Sequence, residues 1–190
     1  MPRLKSQNKA IRDERRNAIL EASVPLFAIH GRDGVTMDMI SDEAKCSHGL
    51  IYHYFDNIEE VYSNAINSKA VLDIKGSLFL VREEALANDE LYRITKALLS
   101  LLEGNKLSNA YLLLILNEDE INSLKHTLVK LIAEGQETRD VVGGDPEDIA
   151  SAYLYIFKGC LLNKLLMKKF KGNIPNIDTV YEIFRKRSRM

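Results

Sequence analysis

Residues 33–55 read Asp33-Gly34-Val35-Thr36-Met37-Asp38-Met39-Ile40-Ser41-Asp42-Glu43-Ala44-Lys45-Cys46-Ser47-His48-Gly49-Leu50-Ile51-Tyr52-His53-Tyr54-Phe55, and this stretch decides the fold. It predicts two short helices. Thr36 is a good N-cap for the first, and Asp38 falls in its first turn, where the helix dipole favours a negative charge. Ile40 and Ala44 then stand one turn apart on one face. Lys45-Cys46 breaks the helix, and Ser47 caps a second one running from His48 to about Tyr54, with Ile51 and Phe55 four residues apart. Two helices of about two turns, joined by a three- or four-residue turn, cannot bury a core alone and need a third to cover them. Residues 6–30 supply it: Ile11, Ala18, Ile19, Ala22, Leu26 and Phe27 recur at three- and four-residue spacing, and Gly31 stops the helix. Pro25 is expected to kink it. Ile40, Ala44, Ile51 and Phe55 are the expected core of this three-helix unit, with the Cys46 thiol buried among them.

The outer side of the second short helix carries polar, aromatic and small groups. An α-helix fits the DNA major groove, and its N-terminal residues meet base edges there. Gly49 lets the backbone approach a nucleic acid closely. Tyr52, His53 and Tyr54 offer hydrogen-bond donors to phosphates and bases. His48 and His53 lie five apart, off a common face, so no metal site is expected.

Beyond residue 57 the chain continues to read as helices, over 58–75, 77–87, 89–104, 107–117, 120–138, 147–170 and 177–187. The breaks fall at Gly76, Asn88, Gly104-Asn105, 117–119, 142–146 and 172–175. Asp145-Pro146 is a strong start signal, with proline at the first helical position. No repeat or long linker appears, so the two regions share a helix near 58–75. The expected fold is all-α: an N-terminal helix-turn-helix domain over 1–57, and a larger helical domain over 58–190 that the family resemblance given below implies is for ligand binding and dimerisation. Phe79, Tyr92, Tyr111, Leu114 and Tyr153 are candidate pocket residues. Tyr153, Leu154, Phe157, Leu161 and Leu165, in line with Ala150 along 147–170, are candidates for a two-fold interface.

Of the 190 residues, 46% are hydrophobic and 28% charged, a globular composition. Two distant cysteines, Cys46 and Cys160, fit a reduced protein without disulfides or metal. The longest apolar run, 110–116, is far shorter than a membrane span, and no signal peptide precedes the first helix, so a cytoplasmic protein is expected. The net charge is -1, but it is unevenly spread. Residues 1–16 carry six Lys/Arg, Lys5 and Lys9 among them, against Asp13 and Glu14. Residues 56–163 carry ten basic and eighteen acidic groups. A basic N-terminal arm can therefore face phosphate while an acidic body stays away from it. No nucleophile elbow, phosphate-cradling glycine loop or His-x-x-x-His pair is present, so neither an enzyme nor a cofactor is expected.

Ile19-Leu20-Glu21-Ala22, Leu26-Phe27-Ala28, Gly31, Gly34-Val35-Thr36, Ile40-Ser41, Ala44, Ser47, Gly49, Ile51-Tyr52-His53-Tyr54-Phe55, Asn57 and Glu59 together resemble the DNA-binding domain of the tetracycline-repressor (TetR) family. The resemblance covers roughly the first third of the chain. Farther on, the match is looser: Ile132-Ala133-Glu134-Gly135-Gln136, and 152–162 with Gly159. It implies a homodimeric, all-helical transcription regulator on a palindromic double-stranded operator, released by a small-molecule effector. By the same resemblance Ser47, His48, Gly49 and His53 face bases, whereas Thr36, Tyr52, Tyr54 and Asn57 contact phosphate. Lys45 stands where the family usually has glycine, which predicts a strained turn. His48 stands where lysine is common, Leu50 where a small polar residue is common, and Ile58 where a lysine often meets phosphate. The basic arm, with Lys5 and Lys9, is expected to compensate. Two alternatives stay open on sequence: an activator of the same fold, and a helical small-molecule binding protein with a degenerate DNA head.

Overall fold

The computed structural model describes residues 5–79, 85–117, 120–167 and 174–185. Its elements are α1 (Lys5–His30), α2 (Met37–Glu43), α3 (His48–Tyr52), α4 (Ile58–Ile66) and α5 (Lys69–Phe79), followed by α6 (Ala87–Glu103), α7 (Lys106–Asn117), α8 (Glu120–Glu137), α9 (Pro146–Leu166) and α10 (Ile177–Phe184). Among the described residues the only β-type pairing is a single antiparallel bridge, Val141 to Arg185.

Helix α1 runs through Pro25. The carbonyl that loses its partner belongs to Glu21, on the exposed side where water can serve it. The buried stripe is rotated from the expected one. Ile19, Leu20, Ser23, Val24, Phe27 and Ala28 are buried, Ile11, Ala22 and Leu26 are half-buried, and Ala18 is exposed. Ser23 enters the core at no penalty because its hydroxyl donates to the Leu20 carbonyl at 2.7 Å.

The helix expected over 58–75 is two helices. Asn67 donates from its amide to the Ser63 carbonyl at 2.8 Å, and Ser68 Oγ accepts from the Val71 N–H at 3.4 Å, so side chains end one helix and begin the next. Gly76, the expected break, lies inside α5, and Asn88 lies inside α6. The helix expected over 77–87 is therefore absent in that form: its first residues finish α5, residues 80–84 lie outside the described part, and α6 begins at Ala87. The Asp145-Pro146 signal starts α9 as expected, with Asp145 accepting from the Glu147 N–H at 2.8 Å.

The apolar run 110–116 is the centre of the bundle, with every residue from Asn109 to Leu116 buried in α7. Helix α1 packs more extensively on α7 than on any other element, and Asn117 donates to the Ala28 carbonyl at 3.0 Å. Helix α9 rests on α8 and α7. Helix α10 lies on α6, where the Tyr181 hydroxyl bonds Asn88 and its ring meets Tyr92 edge-on.

This packing corrects the expected dimer surface. Ala150, Tyr153, Leu154, Phe157, Leu161 and Leu165 are all buried inside the protomer. Helix α9 is apolar on both sides, and the side with the larger, more regular residues is used against α7 and α8. Phe157→Ala is therefore a core truncation, expected to lower unfolding free energy by about 3–5 kcal/mol. Urea denaturation checks this; a midpoint unchanged from wild type would mean that Phe157 is not in the core.

Candidate nucleic-acid interface

The α2–α3 unit is assembled by local chemistry. Thr36 Oγ1 caps α2 by accepting from the Met39 N–H at 3.3 Å. The chain then turns through Lys45, whose φ of 51° puts it in the left-handed region, and the Cys46 N–H closes the turn on the Ser41 carbonyl at 3.0 Å. The strain expected from the missing glycine is present. Ser47 sits at the N-cap of α3, but its side chain makes no cap bond, and α3 ends at Tyr52 with His53 as its C-cap. Asn57 Oδ1 caps α4 by accepting from Glu60 N at 2.9 Å, while the Glu60 carboxylate reaches back past the cap to accept from Asp56 N at 2.8 Å.

Ile40, Ile51 and Phe55 are fully buried and anchor the unit against α1. Ala44 and Cys46 are only half-buried, less than expected, because the turn leaves them at the core margin. Burial still pushes the Cys46 thiol up. Two arginines, one counted with the basic arm on sequence and the other unassigned, lock this unit to α4. The Arg16 guanidinium lies 4.6 Å from the Phe55 ring centre, donates to Asn64 Oδ1 at 2.9 Å and sits 3.6 Å from Glu60. Arg32 pairs with Glu59 and lies over the Tyr62 ring. Arg16, counted with the basic arm on sequence, is thus committed inside the protein; only the aromatic and acidic residues 40 or so positions away hinted at that.

Anchoring by Ile51 and Phe55 turns the remaining side chains of α3 outward. Ser47, His48, Gly49, Tyr52 and His53 are exposed, as are Thr36 and Asn57, and Tyr54 is half-buried with its ring edge-on to His53. A side chain at Gly49 would meet nothing within 4 Å, so nothing in the protein requires glycine there. His48 Nε2 lies 3.1 Å from Asp38 Oδ1, and the His48 ring meets Tyr52 edge-on at 5.0 Å. The face is not basic on its own: residues 33–57 hold Asp33, Asp38, Asp42, Glu43 and Asp56 against Lys45. The nearby cations are on α1, where Lys9, Arg12 and Arg15 are exposed. The Lys5 side chain lies outside the described residues.

A small, partly open gap lies between α6, α8, α9 and α10, lined by Leu91, Thr95, Leu128, Ile132, Tyr153 and Tyr181, with a cavity volume of about 10 Å³, room for roughly one water molecule. Thr95 must donate its one hydroxyl proton to the Leu91 carbonyl at 2.7 Å, so the Tyr153 hydroxyl donates to Thr95, also at 2.7 Å. Burial raises the Tyr153 phenol well above its usual range, keeping it neutral. Of the expected pocket residues only Tyr153 lines this space. Tyr111 and Leu114 are inside the bundle on α7, Tyr92 is partly exposed on the outside of α6, and Phe79 is half-buried near the end of α5. The pairs 91/95 and 128/132 were visible as one-turn repeats, but sequence does not say which helices face each other. No cluster suited to a metal occurs among the described residues.

An all-helical chain with a buried-anchor, polar-faced helix-turn-helix at one end is the class of protein that fold and site define. Residues 19–65 match the family model of bacterial regulatory proteins, tetR family. Over 56 residues the chain is 39% identical to the HTH-type transcriptional repressor SCO4008 of Streptomyces coelicolor, a match spanning 30% of this chain and only 29% of that relative. The ketosteroid transcriptional regulator KstR2 of Mycobacterium tuberculosis has the same fold, with a TM-score of 0.58 at 16% identity over 91% of this chain and 96% of its own. A regulator structure from Saccharomonospora viridis, in complex with choline, aligns with a TM-score of 0.56 at 18% identity, covering 92% of this chain and 100% of that one. The sequence likeness to the tetR family lies in these N-terminal helices, about a quarter of the chain, and with these solved structures the rest of the chain shares the fold.

The left-handed conformation of Lys45 costs about 1–2 kcal/mol. Glycine removes that cost but adds about 0.5–1 kcal/mol of chain entropy to be lost on folding. Lys45→Gly is therefore expected to raise stability by up to about 1 kcal/mol. A thermal midpoint below that of wild type would show that the turn is not strained.

Proposed function

We propose that this protein is a homodimeric transcription regulator that binds a palindromic operator in the cytoplasm and, as a repressor, leaves it when a small molecule enters the helical body. One observation carries the reading: Ile51 on α3 and Phe55 just after it are fully buried, while His48, Gly49 and Tyr52 on α3 and its caps Ser47 and His53 are exposed to solvent. A surface helix built this way presents readable side chains without bending its backbone. Ser47, His48, Gly49 and His53 face bases; Thr36, Tyr52, Tyr54 and Asn57 position the head on phosphates. Lys5 and Lys9 reach phosphate from the start of α1 and supply the positive charge that the acidic α2 lacks.

Residues 1–57 form the DNA-binding domain and 58–190 the effector and dimer domain. The gap beside Tyr153 is the place where the body opens for an effector: it holds about one water as it stands, so the helices around it must move apart to admit a ligand. Its walls carry no charged side chain, which suits an uncharged, mainly apolar effector. Ligand affinity has to differ between two head poses: moving the population from 99% to 1% competent takes about 5.5 kcal/mol. The Arg16 and Arg32 contacts tie α1 to α4, so the head moves as one piece with α4.

The outer side of α9 joins the two copies. Tyr155 is 70% exposed, Leu162 38% and Leu166 61%, and Ala152 and Gly159 on the same side let another helix come close. By length and composition α9, with a mean hydropathy of 1.2 over its best window, is apolar enough to cross a membrane. Its inner side is occupied by the protomer's own core, and the outer side is apolar for a second copy.

Selection of random duplexes by the purified protein at about 0.15 M salt, near physiological strength, is expected to return two inverted half-sites; recovery of no preferred sequence would remove the regulator reading. Leu162→Asp with Tyr155→Asp is expected to give folded monomers by sedimentation, with operator affinity sharply reduced. A dimer of wild-type strength would place the interface elsewhere. Deleting residues 2–9 removes Arg3, Lys5 and Lys9, and the slope of log K against log salt should flatten by about 0.9 for each phosphate that the arm neutralises in the full-length protein. An unchanged slope would mean that the arm does not touch DNA.

A further inference from the structure

We propose that Asp38 is a specificity-determining residue for the DNA head: it fixes which nitrogen of His48 carries the proton, and so which base edge His48 can read. The inference rests on the DNA-reading function proposed above and adds a role for a residue of α2 that the family resemblance leaves unassigned. An acidic group beside a phosphate-binding face is otherwise a liability, since like charges repel.

The geometry is direct. His48 Nε2 lies 3.1 Å from Asp38 Oδ1, one group on the first residue of α3 and the other in the first turn of α2. A carboxylate only accepts hydrogen bonds, so the proton between the two groups belongs to Nε2. A neutral imidazole carries one proton, which leaves Nδ1 bare, as an acceptor. The Tyr52 ring, edge-on to the imidazole at 5.0 Å, limits how far the ring turns. Asp38 is itself held in place by α2, whose N-cap Thr36 is bonded and whose neighbours Met37 and Ile40 are buried. The side chain of His48 is about half exposed, so the ring as a whole can be approached from solvent.

In the major groove an acceptor finds donors at two places, the amino groups of adenine N6 and cytosine N4. Guanine presents O6 and N7, both acceptors, and thymine presents O4 and a methyl group. A His48 locked with its proton toward Asp38 therefore favours adenine or cytosine at the base it faces and disfavours guanine. Released from Asp38, the ring can place its proton on either nitrogen and accept or donate. Asp38 touches no base; it is a positioning residue acting through His48.

The test pairs a spectroscopic readout with a binding one. Long-range proton–nitrogen NMR of the imidazoles at pH 8, in full-length protein without DNA, is expected to show His48 protonated at Nε2, and Asp38→Ala to give a mixture of both tautomers. Asp38→Asn, whose amide oxygen still accepts, should keep part of the Nε2 preference. Duplex selection at the same pH should return adenine or cytosine at one symmetric pair of positions in wild type. In Asp38→Ala that preference should fall by roughly five-fold, the worth of about one hydrogen bond, while the other positions stay unchanged. His48→Ala should relax the same pair. A wild-type His48 protonated at Nδ1, or an Asp38→Ala protein selecting the same bases with the same strength, would overturn the inference. If wild type selected no operator at all, the regulator reading itself would fail; the NMR comparison would still decide whether Asp38 sets the tautomer.

Discussion

Everything in this molecule rests on the two-sided burial of α1. Its stripe of Ile19, Leu20, Val24, Phe27 and Ala28 packs on α2 and α4 and, at the same time, is the wall against which α7 is laid. Neither partner has a substitute. Two short helices cannot exclude water from Ile40, Ile51 and Phe55 without a third, and α7 is apolar on so many sides that it needs cover all round. A helix shared in this way makes the small head and the large body one cooperative structure, with one contiguous core.

The arginines extend the same arrangement. A guanidinium laid on an aromatic face and paired with a carboxylate is oriented more strictly than an apolar side chain. Arg32 uses both interactions toward α4, while Arg16 lies on Phe55 and reaches Glu60 of α4, so that the path from the body to the α3 face passes through directional contacts as well as through packing. The surface they leave behind is poor in positive charge, which gives the exposed cations of α1 their importance.

How much of this was legible beforehand varied with the physics involved. The three-helix head was readable because capping residues, a three- to four-residue apolar spacing and a short turn all act locally. Lys45 was recognisable as a strained position only through the resemblance, which has glycine there; its φ of 51° bears that out. Local logic failed where side chains competed with the helix ladder: the amide of Asn67 divides what apolar spacing alone joined into one helix. Glycine misled in the opposite direction, since Gly76 sits exposed within α5, where its modest propensity cost is borne by tertiary packing. The body was legible as helices but not as an arrangement. An apolar residue on α9 looks the same whether it faces its own core or another chain, and Phe157 and Tyr155 were separable only after α7 and α8 were in place. The unfilled space beside Tyr153 depends on four helices meeting, and no spacing along the chain encodes that. The pairing of His48 with Asp38 spans a turn whose geometry had to be seen.

The doubly apolar character of α9 has a consequence for the life of the newly made chain. A protomer that has just folded carries Tyr155, Leu162, Leu166 and Met167 uncovered along one side. Exposed apolar stripes of this kind are sticky toward any similar surface. Where a second copy covers this stripe, as proposed above, pairing is second order in chain concentration, so the interval spent uncovered lengthens as fewer copies are made. Scarcity then prolongs exposure to chaperones and proteases. The abundance of such a protein is then bounded from below by the time its bare helix can survive alone.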